Sequence, residues 1–139
     1  MQENPVVTEP ERRQAWHLLS YALRLSDTWP TTRDLLLSLA PKMEIAGFRD
    51  EWLPYLHQGI QASIQRRDLS AEAALRRHTG VICRVRGKLA EAEEQFEAAQ
   101  RLYQKLGDKS GEAQILNDLA AVDHLCSREQ LAVERATRA

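Results

Sequence analysis

Apolar side chains recur at helical spacing along most of the chain. The clearest case is GKLAEAEEQFEAAQRLYQKLGD at positions 87–108, where one stripe is apolar and the opposite face is charged. A spacing of three and four residues places the stripe on one face of a helix. The stretch therefore predicts an amphipathic helix that packs on one side. The stripe consists of Leu89, Ala92, Phe96, Ala99, Tyr103 and Leu106.

The same spacing predicts an all-α chain of about seven helices and no strand. Capping boxes, TEPE at 8–11 and SREQ at 127–130, mark two helix starts. Gly47, Gly87 and the Gly-Asp pair at 107–108 mark helix ends. Pro41 lies inside the second helix and should kink or end it. The predicted helices cover about 10–26, 30–46, 50–66, 70–86, 87–106, 111–125 and 127–139.

A shift of the sequence by 40 residues superposes small residues on small residues and turn residues on turn residues. This period holds one helix pair and favours an α-solenoid of stacked antiparallel pairs over a bundle. The period predicts units at about 30–69, 70–109 and 110–139, preceded by one helix at 10–26. The polar, proline-bearing start of the chain predicts a disordered tail at 1–9. The coinciding positions include Ala40 with Gly80 and Ala120, and Gly47 with Gly87 and Ser127.

Composition narrows the class of function. The chain has 139 residues, with 19 Lys plus Arg against 20 Asp plus Glu, and this balance argues against nucleic-acid or membrane-surface binding. The longest apolar run, LLLSLA, is far too short to span a membrane. The two cysteines, Cys83 and Cys126, predict reduced thiols in a cytoplasmic protein rather than a disulfide framework.

The stretch TGVICRVRGKLAEAEEQFEAAQRLY at 79–103 resembles the tetratricopeptide repeat. The longer period and the connector LGDKSGEAQILNDLA at 106–120 are similar to the variant found in bacterial regulators and signalling ATPases. The resemblance implies a protein–protein or peptide-binding scaffold in a larger protein, with the first helix of each pair lining a concave groove. The positions that carry it are Gly80, Gly87, Leu89, Ala92, Phe96 and Ala99.

The sequence predicts no catalytic, cofactor or metal site. GVICRVRGK has six residues between Gly80 and Gly87 where a phosphate-binding loop needs four, and Leu89 replaces its Ser or Thr. None of the histidines is spaced from a second ligand as zinc requires. A non-catalytic binding module is therefore the leading interpretation. The four histidines are His17, His57, His78 and His124.

Given the resemblance, helical geometry predicts which residues face the groove. On the fourth predicted helix these are Arg77, Val81 and Arg84; on the sixth they are Asn117, Ala121 and His124. Guanidinium groups suit carboxylates, so the groove should bind an acidic or C-terminal peptide. The alternative is that these residues only face solvent.

Two other functions stay open. The last predicted helix has apolar Leu131 and Val133, which could make the chain a self-associating scaffold, for example a homodimer through an open repeat end. The third function is a small-molecule-sensing arm of a transcriptional regulator. A deep apolar pocket near Trp52 would favour it over an open groove.

Overall fold

The computed structural model describes residues 13, 14, 17, 29–46 and 49–138. These residues are helical apart from three short turns, so the predicted all-α class is confirmed for them. The tail at 1–9 and most of the helix predicted at 10–26 lie outside the described residues. The five helices are α1 (Trp29–Ala46), α2 (Arg49–Gln65), α3 (Leu69–Val85), α4 (Leu89–Leu106) and α5 (Lys109–Arg138).

The turns after α2, α3 and α4 share one geometry at a spacing of 20 residues. Arg67, Gly87 and Gly107 have φ angles of 53°, 78° and 69°, in the left-handed region. This conformation closes a Schellman motif, in which a backbone N–H beyond the helix reaches back to the last turn. The bonds run from Asp68 N to Ser63 O (2.9 Å), Lys88 N to Cys83 O (2.8 Å) and Asp108 N to Tyr103 O (3.0 Å).

Arg67→Gly is expected to raise the free energy of unfolding by about 0.5–1 kcal/mol. Glycine adopts positive φ without the Cβ clash that costs other residues roughly 1–2 kcal/mol, less its greater freedom in the unfolded chain. Urea unfolding followed by circular dichroism measures the change. Gly107→Ala is the matched opposite, because a Cβ there meets nothing within 4 Å and only the backbone is strained. Equal stability of parent and Arg67→Gly would contradict the left-handed turn.

Each helix packs on its neighbours in sequence, and successive odd-numbered helices also pack on each other. α3 contacts α1, α2, α4 and α5, whereas α2 and α4 do not contact each other among the described residues. Two buried clusters result. Leu36, Trp52 and Leu56 lie in the first, and Phe96 and Ile115 lie in the second.

The closest approach of α3 and α4 depends on Gly80, a position at which the 40-residue comparison predicts a small residue. A Cβ on Gly80 would lie 2.6 Å from Cε1 of Phe96. The aromatic ring therefore rests directly on the backbone of α3. Phe96 itself is fully buried.

One predicted helix boundary is wrong, and Pro41 has one of the two outcomes left open for it excluded. The helices predicted at 111–125 and 127–139 are one helix, α5, so Ser127 is not a cap and the six helices predicted from residue 30 onward are five in the described part of the chain. No Gly or Pro stands at 112–138 to end the helix. Pro41 does not end α1, which continues to Ala46. Pro41 is exposed while Ala40 and Met43 are fully buried, so packing on the opposite face offsets the missing hydrogen bond.

Candidate binding surface

The residues predicted to line a groove lie on α3 and α5, where a carboxylate joins them. Arg77 Nε donates to Asp118 Oδ2 at 2.7 Å, and Arg84 Nη1 lies 3.7 Å from Asp118 Oδ1. The Asp118 side chain is 9% exposed, against 28% for Arg77 and 25% for Arg84. One nearly buried carboxylate on α5 is therefore bracketed by two half-buried guanidinium groups on α3.

The charges of this cluster do not cancel. Two guanidinium groups face one carboxylate, which leaves one positive charge in excess. Arg77 makes a charge-assisted hydrogen bond, whereas the Arg84 distance is that of an ion pair without a hydrogen bond. Arg84 therefore keeps guanidinium N–H donors that a second carboxylate could use.

The other four predicted groove residues surround this cluster. Val81 and Ala121 are half-buried, and Asn117 and His124 are exposed. Asn117 adjoins Asp118, and Ala121 follows it by three residues on the same helix. All six residues predicted for the groove are thus at least partly accessible, and the two arginines meet at one carboxylate.

Asp118 was missed by the sequence reasoning, although the sequence carries a signal for it. It lies three residues after Ile115 and four residues before Val122, and both of these side chains are buried. A carboxylate on a buried stripe needs a cationic or hydrogen-bonding partner, because burying it alone is costly. A carboxylate at this position therefore indicates a cationic partner on a helix that packs against α5, and Arg77 of α3 is that partner.

A recess of about 350 Å³ continues the surface from Arg84 towards the middle of α5. Its apolar wall includes Leu89 and Leu125, and its polar wall includes Arg84, Arg128 and Glu129. An apolar side chain that lies next to a carboxylate would match this mixture. The recess thus places an apolar surface next to the ion-pair cluster of Arg77, Arg84 and Asp118.

A second polar cluster, around Asp68, is structural. Asp68 caps α3 by accepting from Ala71 N (3.1 Å), and it also accepts from Trp29 Nε1 (3.0 Å) and Arg33 Nη1 (3.1 Å). Burial opposes ionisation of Asp68, but these donors outweigh burial and lower its pKa below the usual value. Because the carboxylate is hydrogen-bonded by its own chain, this cluster holds α1 to the α2–α3 turn. Asp108 caps α5 in the same way through Gly111 N (3.0 Å).

The cysteines offer no obvious chemistry. Cys83 and Cys126 are both free thiols. Burial raises the pKa of the Cys83 thiol, which disfavours the reactive thiolate. Within the described part of the chain, no three His, Cys, Asp or Glu side chains are grouped so as to hold a metal ion. No described helix combines the length and apolar character needed to cross a membrane.

The sequence matches no known family model, no curated protein and no solved structure. The resemblance to the tetratricopeptide repeat therefore stays a prediction from the residues themselves.

Proposed function

We propose that the chain is a non-catalytic, tetratricopeptide-like repeat module that binds an acidic protein segment or peptide. The observation that carries the proposal is the α3–α5 surface, where an excess positive charge at Arg77, Arg84 and Asp118 adjoins the recess between Leu89 and Leu125. A ligand carboxylate near Arg84 and an apolar side chain in the recess would both be matched.

Two features of the described helices support a repeat architecture. The three Schellman turns recur every 20 residues, so a helix pair with its turns repeats every 40. Among the described residues, α1 contacts α3 and α3 contacts α5, whereas α2 and α4 do not contact each other, as expected where the first helices of successive pairs line one side of a stack. The proposed units remain 30–69, 70–109 and 110–139.

The proposed module would act in the cytoplasm as part of a larger bacterial regulatory or signalling protein, with a protein partner and without a cofactor, nucleic acid or membrane. The region around Trp52 does not support the alternative of a small-molecule-sensing arm. That side chain is 0% exposed and stacks on Tyr55, so it offers no surface to a ligand.

Acidic 12-residue peptides that contain one Leu are expected to bind the chain, and binding should weaken as salt rises because the contacts are partly screened. The probe panel pairs each peptide with an amidated version and with a version in which Gln replaces Asp and Glu. Fluorescence anisotropy measures the dissociation constant. Neutral peptides that bind equally well would contradict the ionic basis of the site.

A pair of charge-matched variants locates the site. Asn117→Asp with Arg128→Gln lowers the charge by two at exposed positions beside the cluster and should raise the dissociation constant about tenfold or more, or roughly 1.4 kcal/mol. Arg101→Gln with Gln104→Glu makes the same change on the exposed side of α4 and should have an effect of less than about twofold. Equal effects of the two variants would show non-specific attraction. Reversing Arg77 or Arg84 is avoided because both hold Asp118.

A further inference from the structure

One stripe recurs on the three odd-numbered helices, and only on α5 is it uncovered. On α1 it contains Leu36 and Ala40, both 0% exposed beneath α2. On α3, forty residues later, the equivalents are Arg76, which donates a hydrogen bond to Gln95 of α4, and Gly80, which carries Phe96 of α4. On α5, eighty residues after Leu36, its equivalent is Leu116, which is 57% exposed. A leucine that is buried in the first helix pair is thus left in water at the equivalent position two units later.

The uncovered stripe runs on along α5. Steps of three, four, seven and four residues keep its members on one face of the helix. All are exposed, and Leu131 is 50% exposed. The face spans 18 residues, or roughly 27 Å at 1.5 Å per residue. We name it the α5 outer face, made of Ala113, Leu116, Ala120, Ser127 and Leu131.

Val133 does not belong to this face. Two residues along a helix correspond to a rotation of about 200°, so Val133 and Leu131 point to nearly opposite sides. Both are large exposed apolar residues of α5, at 63% and 50%. A single interface cannot use both. The equivalents of Leu116 and Ala120 on α1 are covered, and Leu131 lies on the side of α5 that carries Leu116 and Ala120.

The chain's own C-terminal segment does not cover the α5 outer face. In the preceding unit the chain turns at Gly87, and α4 folds back onto α3 with Leu89 and Phe96. At the equivalent point α5 runs straight through Ser127 to Arg138. The residues that would replace Leu89 and Phe96 are Glu129 and Ala136, which supply little apolar surface for such a fold-back.

We propose that the α5 outer face binds the same face of a second copy of the chain, with the two helices parallel about a twofold axis. The charges on its edges select this orientation. One edge carries acidic Asp123 and Glu134, and the other carries polar His124 and cationic Arg135. Parallel helices place the acidic edge of one copy beside the other edge of its partner, whereas antiparallel helices place the two acidic edges together.

The parallel pair places equivalent residues opposite one another. Leu116 and Leu131 each meet the same residue of the partner, and small Ala120 and Ser127 let the helices approach. Asp123 of each copy lies level with the partner's His124, and Glu134 with the partner's Arg135. The two halves are identical, so the assembly closes as a dimer.

Sedimentation of the 139-residue chain, of mass 15.9 kDa, is expected to show reversible dimers as the concentration rises through the micromolar range. Leu116→Glu with Leu131→Glu should remove the dimer and leave the helical circular dichroism unchanged, because both side chains are exposed. Leu131→Glu alone should also weaken the dimer, and Val133→Glu is its matched control on the opposite side of α5, which should leave the dimer intact. A parent chain that stays monomeric up to several hundred micromolar, or a dimer lost equally in the control, overturns the proposal.

Oxidative cross-linking tests the orientation. In a Cys126→Ser background, Leu131→Cys alone should form a disulfide-linked dimer, and so should Leu116→Cys alone, since each faces itself across a parallel pair. In an antiparallel pair, residues 116 and 131 of opposite copies meet instead, and only the mixture of the two variants would cross-link well. That result would overturn the parallel arrangement.

Discussion

Phe96→Ala is expected to lower the free energy of unfolding by about 3–5 kcal/mol. The side chain is fully buried and lies against the α3 backbone at Gly80, so truncation leaves a cavity that a backbone contact cannot fill by a change of rotamer. A natural domain has only about 5–15 kcal/mol of stability in total. Urea unfolding followed by circular dichroism should therefore show a large fall in the midpoint.

The control for this prediction is Leu106→Ala on the same helix. Leu106 is 43% exposed, so much of its apolar surface is already in water and the loss should stay below about 1 kcal/mol. If both variants lost the same amount, Phe96 would not occupy the core between α3 and α4.

The stripe of α4 shows how well spacing predicts burial. Leu89, Ala92, Phe96, Ala99 and Tyr103 are all buried, as the sequence predicts. Leu106, the last member, is half exposed because it lies at the end of its helix. Periodicity assigns a residue to a face of its helix, but it contains no information on how far along that face the neighbouring helices reach.

The turns after α3 and α4 show that local sequence can be sufficient to predict where a helix ends. Gly87 and Gly107 end their helices as predicted, because glycine adopts positive φ without strain. Arg67 adopts the same conformation without that advantage. The next residue, Asp68, is held by Trp29 and Arg33 from α1, and these tertiary bonds fix the turn.

Ser127, in contrast to Gly87 and Arg67, does not mark the end of a helix. It occupies the same place in the 40-residue pattern, but the helix continues through it. Serine does not favour positive φ, and the following Arg128 makes no bond comparable to those of Asp68. The SREQ capping box is only a local preference, which an uninterrupted run of helix-forming residues outweighs.

The candidate site was predictable in part. Helical geometry placed Arg77 and Arg84 on an accessible face, but it could not show that both turn to Asp118. Arg77 and Arg84 precede Asp118 by 41 and 34 residues in the sequence, and their pairing with it depends on how close α3 and α5 lie. The two arginines predicted to face the groove therefore form a cluster with Asp118 that has a single excess positive charge.

Ala92→Trp is expected to lower the free energy of unfolding by about 1–3 kcal/mol or more, because Ala92 is 0% exposed and its core has no room for an indole. The test is informative because the equivalent residue of the preceding unit is Trp52, which is also 0% exposed. Ala90→Trp is the control on the exposed side of α4, and its loss should stay below about 1 kcal/mol. Equal stability of Ala92→Trp and the parent would mean that α4 does not pack through this face.

The two units differ not only at this position but also at the residue one helical turn after it. Trp52 is followed by Leu56, whereas Ala92 is followed by the larger Phe96, and all four side chains are fully buried. Phe96→Leu should therefore restore part of the stability lost by Ala92→Trp, since it reproduces the Trp–Leu arrangement of the preceding unit. A double-mutant cycle is expected to give a favourable coupling of about 0.5 kcal/mol or more. Strict additivity of the two losses would mean that side chains at 92 and 96 do not share one space, and that the 40-residue pattern does not relate the cores of the two helix pairs.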